Sequence, residues 1–210
     1  MTARPVAILD YEAGNVRSAK RGFDAAGGAA RIVRSAEEVR EEDVLVIPGV
    51  GNFDSCITEL RRSGLEEVIR SAIVEQRPVF GICIGMQLLY AGSSEGREPG
   101  LGLLPGTVER FPDTAVVPHI GWDVVRAAAG TQADPLLAGV DGERLYFVHS
   151  YYAVPTDRTH VVARTTYGGV AFPCIVREGS VVGTQFHPEK SGAVGALLLR
   201  NWLASLEETG

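Results

Sequence analysis

The chain has 210 residues, 45% hydrophobic, 22% charged and 7% aromatic, a balance that excludes a disordered tail, a fibre and a coiled coil. Twenty Lys and Arg against 26 Asp and Glu leave a net charge of −6. No stretch concentrates basic residues as a phosphate-tracking surface would, which argues against nucleic acid as a partner.

The first half alternates apolar runs with helix-period segments. Val6–Leu9 reads as a buried strand, and Val16, Ala19, Phe23 and Ala26 then recur at helical spacing before Gly27-Gly28 stops the helix. Ala30–Val33 is the next strand, and Ser35 with Glu38 reads as a capping box for a short helix. Val44–Ile47 is a strand ending in Pro48. Phe53, Cys56, Ile57 and Leu60 mark one helix face, and Leu65, Val68, Ile69, Ala72 and Ile73 mark another. Val79–Ile82 is a further strand, followed by the helix-like Met86, Leu89 and Tyr90. Uncharged strands alternating with amphipathic helices predict a parallel sheet covered on both faces.

The second half reads as Gly106–Phe111, Trp122–Arg126, Leu145–Val154, His160–Thr166, Ala171–Val176 and Val181–Phe186, strands joined by short turns. Glu178-Gly179 reads as a hairpin turn. Val194, Leu197, Leu198, Trp202 and Leu203 complete an amphipathic C-terminal helix. The expectation is one α/β domain over residues 1–210 with an antiparallel elaboration in its second half.

A chain of this length buries roughly 70% of its unfolded surface and needs no disulfide or metal for a core. Three cysteines cannot all pair with one another, which points to a reducing compartment. No segment reaches the roughly 18 uninterrupted apolar residues of a membrane span. The run Val6–Leu9 is too short for a signal-peptide core. A soluble cytoplasmic protein without a membrane partner is expected.

Gly81-Ile82-Cys83-Ile84-Gly85 is the strongest local signal. A strand runs into a nucleophile flanked by glycines and then into a helix, the arrangement of a nucleophile elbow with sulfur in place of oxygen. Cys83 would stand at the carboxyl edge of the sheet, where open α/β folds bind ligands. Its sulfur would lie at a helix N-terminus, where negative charge is stabilised. The N–H of Ile84 would face the oxyanion formed when Cys83 attacks a carbonyl. Cys56, on an apolar helix face, and Cys174, inside a strand, read as small buried hydrophobes.

A nucleophilic sulfur needs a base, and the base needs an orienter. In Gln185-Phe186-His187-Pro188-Glu189, an extended segment puts His187 and Glu189 on one face. By itself the pair reads equally well as a turn histidine beside a solvated glutamate; beside the cysteine elbow the catalytic reading is preferred. Pro48-Gly49-Val50-Gly51 is too short for a dinucleotide fingerprint and lacks the Lys of a phosphate loop. It reads either as an ordinary strand-to-helix turn or as a loop whose N–H groups approach a ligand. His119 and His160 read as structural, His160 on an exposed strand edge. With scattered histidines, no metal is indicated.

Together these segments resemble the class I (triad-type) glutamine amidotransferases, and among them the branch serving histidine biosynthesis. The likeness spans nearly the whole chain: Asp10-Tyr11 with Gly14-Asn15, Pro48–Gly51, Gly81–Gln87, Pro118-His119-Ile120-Gly121-Trp122, Tyr146–Tyr151 and Gln185–Ser191. The elbow and His-Pro-Glu mark the family at large. The glycine loop, the Pro118–Trp122 block and Met86 point to the branch. Asp123 stands where Asn is common, Ile84 where Leu is common, and Glu12-Ala13 interrupts a stretch usually richer in Gly.

The resemblance implies a flavodoxin-like, mostly parallel sheet flanked by helices. It makes Cys83 the nucleophile, His187 the acid and base, and Glu189 its orienter, acting on L-glutamine without a cofactor. Gln87, His149, Ser150 and Tyr151 would hold the substrate, with Ile84 and the loop Gly49, Val50 and Gly51 around the reacting carbonyl. It also implies a heterodimer with a (β/α)8-barrel synthase subunit that receives the ammonia. Asn15, Trp122, Tyr146 and Lys190 would touch that partner, although Trp122 and Tyr146 also read as core aromatics and Lys190 as a solvated charge. The rival expectations are an amidotransferase subunit of another synthase, a stand-alone γ-glutamyl hydrolase and a non-catalytic binding module.

Overall fold

In the computed structural model, which describes residues 4–206, the apolar runs of the first half form parallel strands. β1 (Pro5–Leu9), β2 (Ala29–Val33), β3 (Val44–Ile47) and β4 (Val79–Ile82) lie in the order β2-β1-β3-β4. β3 and β4 are buried along their whole length, which is why they are continuous apolar runs without polar alternation.

Helices α1 (Val16–Ala25), α2 (Phe53–Arg62) and α3 (Leu65–Val74) make the crossovers. On one face Phe23 of α1 packs edge-on against Phe80 of β4 and against Trp202 of α5 (Gly192–Ser205), with ring centroids 5.8 and 5.7 Å apart. On the other, α2 and α3 bury Phe53, Ile57, Leu60, Leu65 and Ile69. Each such side chain contributes about 1.5–3 kcal/mol on burial, so two apolar layers hold the sheet that carries the site.

β12 (Val181–Thr184) joins β4 in parallel, with Thr184 opposite Ile82. β11 (Val170–Glu178), β10 (Val161–Tyr167) and β7 (Arg126–Ala127) then add antiparallel strands, completing eight. Two antiparallel ribbons stand apart: β5 (Gly106–Arg110) with β9 (Tyr151–Pro155), and β6 (His119–Val124) with β8 (Arg144–His149). No helix among the described residues is long and apolar enough to cross a membrane.

Several expectations are corrected. Leu145–Val154 is two strands, because β8 pairs with β6 while β9 pairs with β5, and the chain changes partner at Ser150. The strand expected over Trp122–Arg126 begins at His119 and is interrupted at Val125, whose N–H turns to Glu143. The capping box does not form: Glu38 closes a 3-10 turn and accepts from the N–H of Arg34 at 3.0 Å. The tighter winding swings its carboxylate past the Ser35 amide. α4 (Ile84–Gln87) is a single turn, because Leu101, Gly102 and Leu103 donate to the carbonyls of Leu88, Tyr90 and Leu89, where the helix would otherwise continue. His160 is buried, its Nε2 3.2 Å from the Tyr90 hydroxyl. It immediately precedes β10, which is flanked by β11 and β7 and is no edge.

Candidate active site

Cys83 joins β4 to α4 with φ 54° and ψ −108°, a conformation that costs free energy for any residue with a side chain. The flanking glycines make the turn sterically possible. A Cβ on Gly85 would lie 1.8 Å from the carbonyl oxygen of Ile47, and one on Gly81 would lie 2.7 Å from that of Gly85. Burial lifts the Cys56 thiol to about 11 and pushes Cys174 further still, in keeping with their reading as inert core residues.

β12 lies beside β4, so His187, three residues past the end of β12, emerges next to Cys83. The Cys83 N–H donates to Thr184 O at 2.7 Å, tying the two strand ends together. His187 Nδ1 is 2.7 Å from Glu189 Oε1, with both side chains fully buried. The other ring nitrogen, Nε2, has no hydrogen-bond partner. Burial opposes charge on this ring, but the nearby Cys83 sulfur and the hydrogen-bonded Glu189 carboxylate overcome it and raise His187 to about 10. A sulfur, an imidazole and a carboxylate thus stand in the arrangement that a nucleophile, its base and an orienter require.

The segment carrying them is anchored at several points. The His187 N–H donates to Tyr146 O, and the Ser191 hydroxyl donates to His187 O at 2.7 Å while accepting from the Tyr146 N–H at 2.9 Å. Gly22 of α1 leaves room for Glu189, whose Cβ would be 2.8 Å from a Cβ at position 22.

Cys83 opens into a cavity of about 430 Å3, lined also by Val50, Gly51, Ile84, Gln87, Glu95, His149, Ser150, Tyr151 and Lys190. Gln87 is buried, and its Nε2 donates to Tyr151 O at 2.9 Å and to Gln185 Oε1 at 3.0 Å. Both amide hydrogens are spent, and Oε1 is left without a partner. A buried acceptor in that state favours a ligand donor, such as an ammonium. Glu95 supplies a carboxylate to the same cavity while accepting from the Phe53 N–H at 2.7 Å. Gln185 donates to Cys83 Sγ at 3.7 Å. Neither Glu95 nor Gln185 stands out in the sequence as a site residue. Glu95 sits in a loop with no local pattern, and Gln185 had only its place next to the His-Pro-Glu motif.

The glycine loop lies against the elbow: a Cβ on Gly49 would be 3.0 Å from Ile84 Cβ. The N–H of Val50, however, donates to Ala13 O at 3.0 Å. In this conformation it is not free to act as an oxyanion donor.

Of the residues expected at a partner, Asn15 lies behind the triad, its Nδ2 2.5 Å from Glu189 Oε1. Trp122 and Tyr146 pack edge-on to each other, with centroids 5.9 Å apart, and they are not core residues. Trp122 is 47% exposed and Ile120 61% exposed on the same ribbon. Lys190 is exposed at the cavity rim. Among the described residues no group of three His, Cys, Asp or Glu side chains could hold a metal ion.

Comparison with known proteins agrees with this geometry. Residues 7–206 match the family model described as glutamine amidotransferase class-I. The imidazole glycerol phosphate synthase subunit HisH of Synechococcus sp. (strain JA-3-3Ab) is 45% identical over 207 residues, covering 97% of this chain and 94% of that one. The subunit of the same name from Halobacterium salinarum is also 45% identical, covering 94% and 92%. Among solved structures, one of a glutamine amidotransferase is 25% identical with a TM-score of 0.68, covering 95% of this chain and 97% of its own. The PurLQS structure from Thermotoga maritima, 19% identical with a TM-score of 0.78 over 98% of this chain and all of that one, matches in fold.

Proposed function

Because the chain belongs to the class-I glutamine amidotransferases, we propose that it is the glutaminase subunit of imidazole glycerol phosphate synthase in histidine biosynthesis. The observation that carries this reading is the convergence of Cys83, His187 and Glu189 from two adjacent parallel strands onto a cavity with an unpartnered amide oxygen and a carboxylate.

Glutamine lies with its side-chain amide at Cys83 and its ammonium toward Gln87 Oε1 and Glu95. The Ser150–Tyr151 segment lines the amino-acid end. The sulfur attacks the amide carbon, and the Ile84 N–H takes the developing oxyanion. His187, charged and held by Glu189, protonates the departing nitrogen, so ammonia leaves and a γ-glutamyl thioester remains. A water gives one proton to His187 and attacks the thioester; the sulfur leaves as thiolate beside the charged His187, and the acid formed ionises to glutamate.

Ammonia in bulk water becomes ammonium, which is no nucleophile. The product therefore needs an enclosed route to a second active site, that of a (β/α)8-barrel subunit in a heterodimer. There it completes imidazole glycerol phosphate and releases aminoimidazole carboxamide ribonucleotide. The exposed Ile120–Trp122 face, with Tyr146 and Lys190 beside it, is the surface offered to that subunit. A Val50 peptide engaged with Ala13 in the free chain fits a site completed on assembly. The test is a glutaminase assay of the chain alone, with the barrel subunit, and with the barrel subunit plus its nucleotide ligand. Activity should rise at each step. Full activity of the isolated chain on larger γ-glutamyl peptides would overturn the reading.

A further inference from the structure

Three hydrogen bonds lead from the exposed edge of β6 into the substrate cavity. His149 Nδ1 is 2.7 Å from Tyr151 O, His119 Nδ1 is 3.1 Å from His149 Nε2, and His119 Nε2 is 2.6 Å from Asp123 Oδ2. Each contact needs a proton between two atoms that otherwise present lone pairs. A carbonyl can only accept, so His149 Nδ1 carries an N–H and its Nε2 accepts from His119 Nδ1. His119 Nε2 is then a bare lone pair facing a carboxylate. Two neutral imidazoles bring two protons to three bonds, and the third bond requires one more. The count is the same whichever atom holds it.

The chain ends where substrate is bound. His149 is the last residue of β8, directly before Ser150, and the carbonyl it holds also accepts from Gln87 Nε2 at 2.9 Å. Deepening the glutaminase reading, and resting on it, we infer that Asp123 is a positioning residue for glutamine, acting through His119 and His149 only while the trio holds that third proton. When the proton is lost, one contact turns from attraction to lone-pair repulsion. The strain relaxes by shifting His149, and with it the Tyr151 carbonyl and the Gln87 amide.

Among the described residues no further hydrogen bond brings a substitute proton to the trio. Tyr167 of β10 stacks on His119 at 3.9 Å, but its hydroxyl donates to Val116 O, and Phe111, Phe147 and Phe172 close the remaining sides. The charged neighbours are Arg126 and Arg164, which share a surface cavity with Asp123, Arg144 on the opposite strand, and His187 on the cavity side of His149. Burial lowers the pKa of His119 while Asp123 raises it, with a net lowering.

Asp123→Asn tests the inference, because a carboxamide keeps the shape and brings its own N–H. In the complex with the barrel subunit, KM for glutamine should be compared between wild type and variant across pH. The wild-type KM should climb relative to that of Asp123→Asn as pH rises, toward about fivefold, the worth of one net hydrogen bond. kcat should stay unchanged because the triad is untouched. A KM ratio that is constant with pH overturns the proposal. Nitrogen NMR of the histidine-labelled chain counts the proton without any turnover. Acidification should add one proton to the His119–His149 pair in the wild type, and that step should vanish in Asp123→Asn; its absence from the wild type also overturns the proposal. Should the assembled enzyme show no glutaminase activity, the functional reading fails, and the NMR arm still decides the proton count.

Discussion

Asn15 donates its side-chain amide to Glu189 across 2.5 Å, joining the N-cap of α1 to the carboxylate held against the His187 imidazole. The cap residue is left-handed, with φ 63°, and makes no side-chain cap bond; its side chain is turned to Glu189 instead. A hydrogen bond to a charged group is worth about 1.5–3 kcal/mol net. Asn15→Ala should therefore lower kcat for glutamine about 10- to 100-fold with little change in KM. Steady-state kinetics of the complex, with a thermal melt to confirm an intact fold, are the check. An unchanged kcat would mean that Glu189 is held without Asn15.

Cys83→Ala should abolish glutamine-dependent synthesis by the complex while sparing synthesis from added ammonium salts. On the proposed mechanism the substitution removes the attacking sulfur and nothing at the second active site. Loss of both activities would contradict the division of labour between the subunits.

Gly22 sits inside α1, where alanine normally stabilises a helix by about 1 kcal/mol. Here the added methyl would meet Glu189 Cβ at 2.8 Å. Gly22→Ala should therefore leave the melting temperature unchanged or lowered and should reduce kcat by displacing the carboxylate. A stabilised, fully active variant would show that the two elements separate freely.

Two histidines give the stability a two-sided pH dependence. Burial, as the largest influence, depresses His149 to about 3. The unfolded chain protonates this residue near pH 6.5 and the folded chain does not, so stability should fall as pH drops from about 6.5 toward about 3, by on the order of 5 kcal/mol. His187 has the opposite sign. Its raised value, about 10, makes its contribution complete below about pH 6.5 and lost as pH rises toward about 10. Urea midpoints across pH should show both limbs, with His187→Gln flattening the alkaline one and His149→Gln the acid one.

Much of this protein is written locally. Gly81 and Gly85 announce the elbow because a strand that turns sharply into a helix cannot accommodate side chains there, and that requirement is met within five residues. The buried strands are legible because a sheet covered on both faces needs uninterrupted apolar runs, and His187 and Glu189 are legible as a pair because they lie two residues apart. What periodicity could not supply was any pairing between distant segments. Cys83 and His187 meet only because β12 inserts beside β4, with Thr184 opposite Ile82. Asn15 reaches Glu189 only because α1 passes beneath the His187 turn. Glu95 enters the cavity from a loop without a pattern, and Ser150 breaks an apparent strand because its two halves hydrogen-bond to different partners. The sequence by itself determined the chemistry available and the local geometry that presents it. The tertiary structure alone decided which groups share a proton, because that depends on contacts of two to three ångströms between residues far apart along the chain.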